Sequence, residues 1–221
     1  MSISINADRQ RTALVEGAAL PWIASPEPGI ERRMLERTGG EIALATSIVR
    51  YGAGSRFPPH THELGEEFLV LSGTFSDDSG DFPQGTYVRN PPGSRHAPFS
   101  RDGCVILVKL RQMTCDEVAR VRVFPAQRGW QPADTPGIEH SLLHSTQRSR
   151  VSLLRLAAGA EWPARLVRGG EELFVVEGEI QMGKPAPQRL VAWSWRRSAE
   201  SKQPALASID GALLWIKRGH L

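Results

Sequence analysis

The chain has 221 residues, 40% of them hydrophobic and 23% charged, with a net charge of +3; this is an ordinary globular composition, long enough for one large domain or two of about 100–110 residues. Residues 1–113 carry 12 basic and 13 acidic groups and residues 114–221 carry 15 and 11, with the arginines scattered, so a solvated face is expected and no nucleic-acid partner. No run of about 18 apolar residues is present to span a membrane, the polar opening MSISINADRQRT is not a signal peptide, and two cysteines, Cys104 and Cys115, are too few for a disulfide scaffold, so a cytoplasmic protein with no membrane partner is expected.

In chain order, short β-branched runs alternate with glycine and proline. They predict strands over 42–51, 66–73, 85–90 and 104–110, then over 150–156, 171–182, 189–195 and 212–218. Residues 115–124 read as a weak helix or as a linker plus strand. No long amphipathic helix is visible, so the expectation is an all-β fold.

The two sets of strands are copies. Trp22, Pro28, Gly29, Ile30 and Glu31 recur as Trp130, Pro136, Gly137, Ile138 and Glu139, shifted by 108. Ser47, Arg50, Gly54, Pro58, Gly65-Glu66-Glu67 and Gly73 recur as Ser152, Arg155, Gly159, Pro163, Gly170-Glu171-Glu172 and Gly178, shifted by 105. Asp102-Gly103 and Lys109 return to a shift of 108 as Asp210-Gly211 and Lys217. A match in one register, with one change and its reversal, marks an internal repeat. The expected division is a first domain over 1–113, a linker over 114–125 and a second domain over 126–221.

Four residues of the first copy carry the chemistry. In GAGSRFPPHTHELGEEFLVLSG, His60 and His62 share a strand face, and Glu66 has the same parity if the chain stays extended through Leu64-Gly65. His96, in GTYVRNPPGSRHAPFS, must come from a neighbouring strand. Three imidazoles and a carboxylate suit zinc, iron, manganese, nickel or copper. The second copy places Arg165 against His60 and Val167 against His62, brings Pro204 near His96, and keeps Glu66 alone, as Glu171. It retains the glycine and apolar framework and drops all three of these histidines, which separates site residues from fold residues. Tyr87, Arg89 and Lys109 are candidate pocket residues beside this set. His140 and His144, four apart, fall where the first copy has Arg32 and Glu36, so a second metal there is not expected.

These residues resemble the cupin superfamily. Gly54, His60, His62, Glu66 and Gly73 match its first motif, and Gly85, Pro91, Gly93 and His96 match its second, with Ser100 where asparagine is usual. More narrowly, residues 18–113 resemble the C-terminal cupin of ChrR-type anti-sigma factors, with 126–221 a degenerate copy. The resemblance implies two jelly-roll β-barrels forming a bicupin, with one divalent metal, zinc first and iron, manganese or nickel as alternatives, held by His60, His62, Glu66 and His96. It also implies a small-molecule ligand in the first barrel, and a single chain acting as a pseudo-dimer or pairing as a homodimer. ChrR proteins carry an N-terminal zinc-binding helical domain that grips the sigma factor. The residues ahead of the first cupin here contain no His or Cys, so anti-sigma activity is not carried over. The expected role is a sensor or regulator in small-molecule or oxidative-stress response, with a metal-dependent dioxygenase acting on a β-diketone or similar oxygen-rich molecule as the alternative.

Overall fold

The computed structural model describes residues 3–40 and 42–221. Strands dominate, and the only helical pieces among the described residues are single 3-10 turns at Gly17–Ala19 and Pro125–Gln127. Two compact units form. One is Leu20–Gln127 with the N-terminal residues up to Ala7, and the other is Asp8–Ala19 with Arg128–Leu221. This division differs from the expected one at two places. Residues 114–127 belong to the first unit rather than to a free linker, and residues 8–19 belong to the second unit rather than the first.

The same strand path runs through both units. In the first, the order is Ile3–Ile5, Ile30–Gly39, Ala43–Tyr51, Cys104–Leu110, Glu66–Asp77, Tyr87–Asn90 and Val121–Val123. In the second it is Gln131–Pro132, Ile138–Ser145, Arg150–Leu156, Ala212–Arg218, Glu171–Met182, Ser194–Ser198 and Ala13–Glu16. The edge positions explain the boundary shift. Val121–Val123 pairs with Tyr87–Asn90, and Ala13–Glu16, its equivalent at a shift of 108, pairs with Ser194–Ser198. Each copy's leading strand thus completes the sheet of the other unit.

The predicted strands form, and residues 115–124 supply the strand Val121–Val123 rather than a helix. The predicted 189–195 strand is interrupted at Trp193, a non-glycine residue at φ 69°, and becomes Gln188–Val191 and Ser194–Ser198. Of the strands outside the predicted segments, the two long ones are Ile30–Gly39 and Ile138–Ser145. Their sequences, IERRMLERTG and IEHSLLHS, are polar and lack the β-branched alternation that marks a strand, yet they bury Leu35 and Leu143. On the strand, His140 and His144 lie on either side of a bulge, so the helical spacing of four does not bring them to one face.

Each unit has its own apolar core. Phe68, Val70, Phe75, Phe82, Ile106 and Val108 fill the first, and Leu173, Val175, Ile180, Leu190, Leu214 and Ile216 fill the second. On the opposite face of the first sheet lies a buried polar layer: Arg89 Nη1 donates to Glu67 Oε2 at 3.1 Å, Arg89 also pairs with Glu117, and Lys109 Nζ donates to Thr46 Oγ1 at 3.0 Å. Glu117 lies in the segment that was expected to be linker. The second unit keeps Glu172, Arg197 and Lys217 at these places, all buried, and Arg197 donates to the carbonyl of Asp8 at 2.8 Å. In both units the arginine of the layer therefore binds the segment that leads in the edge strand.

Candidate metal centre

Two short strands position the histidines. His60–His62 and Ser94–His96 form a separate antiparallel ribbon in which His96 faces His60 and Ser94 faces His62. Residues directly opposite share a face, as do residues two apart on one strand, so His60, His62 and His96 project together. The Pro91-Pro92-Gly93 turn locks this ribbon. Gly93, at φ 80°, donates its N–H to the carbonyl of His62 at 2.8 Å.

Glu66 arrives by a different route from the one parity suggests. The chain does not stay extended after His62. It turns through Glu63–Gly65, with Gly65 at φ 74°, and Glu66 opens the long strand Glu66–Asp77. A Cβ on Gly65 would stand 2.3 Å from Met113 Sδ and 3.1 Å from the carbonyl oxygen of Asn90, so this turn needs glycine.

The imidazole centroids form a near-equilateral triangle with sides of 4.7, 4.9 and 5.0 Å. One ring nitrogen from each histidine lies within 4.8 Å of the others. His62 Nε2 and His96 Nε2 are 3.0 Å apart, and Glu66 Oε2 lies 3.4 Å from the first and 3.6 Å from the second. Donors about 2.1 Å from a common ion lie about 3.0 Å apart at right angles and about 3.4 Å apart at the tetrahedral angle, so these spacings fit one ion. The histidine group could hold a metal, with Glu66 beside it.

Backbone and carboxylate partners orient these rings. His60 Nδ1 bonds the carbonyl of Pro58 at 2.8 Å and His96 Nδ1 bonds Asp77 Oδ2 at 3.0 Å, which leaves the Nε2 atoms for the centre. Asn90 Nδ2 donates to Glu66 Oε2 at 3.0 Å from directly across the strand pair. Burial holds the His62 pKa below its usual value despite Glu66 nearby, so that ring stays neutral. For Glu66, burial pushes upward but His62, His96 and the Asn90 bond outweigh it, and the group is a carboxylate. Burial pulls His96 down, yet the Asp77 hydrogen bond and Glu66 raise it overall.

Asp77 and Asn90 were missed by sequence reasoning, although the repeat held a signal for both. Their counterparts in the second copy, Met182 and Ser198, have lost the carboxylate and the amide just as the histidines were lost. Tyr87, Arg89 and Lys109 do not join the site, because they share the face of Glu67, not of Glu66. The centre instead opens into a cavity of about 320 Å³, walled by Tyr51, Phe57, Val49, Ile106, Val108 and Leu110.

In the second unit the equivalent ribbon pairs Arg165 with Gln203, so Gln203 rather than Pro204 stands in the place of His96. Glu171, fully buried in the position of Glu66, pairs with Arg165 and accepts from Arg218 Nε at 2.9 Å. A guanidinium thus replaces the imidazoles around the retained carboxylate.

The ChrR cupin-like domain family matches the chain twice, at residues 10–114 and 118–221. Among curated proteins, none matches the chain significantly. Solved structures share the fold at low identity. A candidate dioxygenase from Nostoc punctiforme is 16% identical with a TM-score of 0.76, covering 100% of this chain and 88% of its own. Protein YlbA from E. coli is 14% identical with a TM-score of 0.74, covering 99% and 94%. The Lactobacillus farciminis oxalate decarboxylase, in its formate complex, is 10% identical with a TM-score of 0.68, covering 95% and 86%. With both copies matched over nearly the whole chain and one strand order in both units, the protein belongs to the ChrR cupin-like domain family, as a tandem bicupin.

Proposed function

We propose that His60, His62, Glu66 and His96 hold one divalent metal ion, zinc in the first instance, and that the first barrel binds a small molecule there as a sensor in small-molecule or oxidative-stress response. The observation that supports this most is the convergence of the three imidazoles and Glu66 on one end of an apolar cavity, whereas the second barrel keeps the strand order and the carboxylate but has none of the three imidazoles. A bound ion there supplies Lewis acidity and a coordination position for an oxygen-bearing ligand. The apolar wall excludes water from such a ligand, and Asp77, Asn90 and the carbonyl of Pro58 hold the rings and the carboxylate in place.

The cavity favours binding over acid–base turnover. Apart from the proposed ligands, its ionisable lining is Arg32, Arg37, Tyr51, Glu63 and Arg111. Glu63 is tied to Arg111 Nη1 at 2.6 Å. Burial, and then the charge of Glu66, lift the Tyr51 pKa well above its usual value, so it stays a protonated donor. No unpaired base faces the centre from this lining.

A second reading, a metal-dependent dioxygenase acting on a β-diketone or similar oxygen-rich molecule, draws support from the same apolar wall and from the fold shared with the Nostoc punctiforme protein. Elemental analysis of purified protein, followed by oxygen uptake with acetylacetone after Fe(II) loading, separates the two. Stoichiometric zinc and no turnover are expected. Oxygen consumption that vanishes in His60→Ala would replace the sensor reading with the enzymatic one.

A further inference from the structure

The second barrel has not simply lost a site. Where the first copy has His60, Ala45 and Leu110, the second has Arg165, Arg150 and Arg218. Ala45 and Leu110 face each other across the first sheet, and Arg150 and Arg218 face each other across the second. Like charges directly opposite repel, so an apolar pair has become a pair that needs a counter-charge. Glu171 supplies one carboxylate and is already engaged by Arg165 and by Arg218 Nε. Arg150 is exposed and makes no ion pair among the described residues. Arg218 Nη2 is buried with no hydrogen-bond partner.

These groups line one cavity of about 400 Å³ that lies wholly within the second unit. Its size suits a small organic ligand. The Arg165 and Arg218 guanidiniums lie 3.6 and 4.7 Å from the centre of the Trp162 ring, which holds both arginines in place and occupies the ring face. The remaining wall is aliphatic: Leu154, Leu166, Val167 and Ile216. Asp134 is the one carboxylate in the lining, against three guanidiniums.

We propose that the second barrel binds a small organic carboxylate, its carboxylate group held by Arg150 and Arg218 and its hydrocarbon body set against Leu154, Val167 and Ile216. A guanidinium matches carboxylate geometry in two parallel hydrogen bonds, and a second one adds positive charge. The aliphatic wall selects an acid with an apolar body over a bare inorganic anion. This site is separate from the metal centre and does not depend on it.

Isothermal titration of the full chain with benzoate, hexanoate and inorganic phosphate tests the assignment. Benzoate or hexanoate should bind saturably, equally well in wild type and in His60→Ala/His62→Ala, and about tenfold more weakly in Arg150→Ala. Arg150 is exposed, so its loss leaves the core intact, and an unchanged melting temperature confirms folding. Lack of saturable binding by either carboxylate at millimolar concentration would overturn the proposal. So would binding indifferent to Arg150→Ala, binding lost with the histidines, or phosphate binding tighter than both carboxylates.

Discussion

The two barrels share a strand order, a buried Glu–Arg–Lys layer and the carboxylate at the start of the long strand, yet surround that carboxylate with opposite chemistry. In the first, hydrogen-bonded imidazoles surround Glu66. In the second, fixed positive charge faces Glu171. A carboxylate this deeply buried needs a cation or strong donors in either setting. The comparison therefore assigns the carboxylate to the common architecture and its neighbours to function.

The sharpest way to break the comparison is to remove the imidazoles. His60→Ala/His62→Ala should abolish metal content, from one ion per chain to background by elemental analysis, while the fold persists by circular dichroism, because the second barrel forms the same strand order without histidine at these places. Retention of stoichiometric metal in this variant would refute the site.

Next in size is the charge balance of the second barrel. Glu171→Gln leaves Arg165 and Arg218 facing each other without their carboxylate, and removal of one partner from a buried pair should cost about 3 kcal/mol in urea denaturation. A loss under about 1 kcal/mol would mean that solvent reaches the guanidiniums and already balances them.

Asp77 gives a smaller effect confined to the first barrel. Asp77→Asn keeps the shape but removes the charge that fixes the His96 ring, and metal affinity should fall about 10- to 100-fold in competition with a chelator. Met182 holds the equivalent place in the second barrel, so no parallel effect is expected there.

Much of this was legible in the sequence because the repeat supplied its own control. The histidine group that could hold a metal, the glycine framework and the four middle strands of each sheet follow from periodicity and from what the second copy kept and discarded. Three features were not legible. Ile30–Gly39 and Ile138–Ser145 carry charge on strands whose burial is set by neighbours distant in sequence. The edge strands Ala13–Glu16 and Val121–Val123 pair with residues some 180 and 30 positions away, respectively, so no local pattern could show which unit each completes. The arginines of the second barrel look scattered along the chain, and only the strand register brings Arg150 and Arg218 face to face with Arg165 beside them.

The smallest expected effect tests the shared frame itself. Each long strand bulges at the same place and then turns at a glycine, Gly73 at φ 69° and Gly178 at φ 74°. A Cβ would stand 2.2 Å from the carbonyl oxygen of Gly103 in one and 2.3 Å from that of Gly211 in the other. Gly73→Ala and Gly178→Ala should therefore destabilise by similar amounts, each more than about 1 kcal/mol. Their consequences for the metal should differ. The bend at Gly73 carries the strand on to Asp77, which holds His96, whereas the bend at Gly178 leads to Met182. Equal losses of stability with metal affinity reduced only in Gly73→Ala would show one frame serving two sites. Unequal stability losses would mean that the barrels had diverged in their scaffolding as well as in their chemistry.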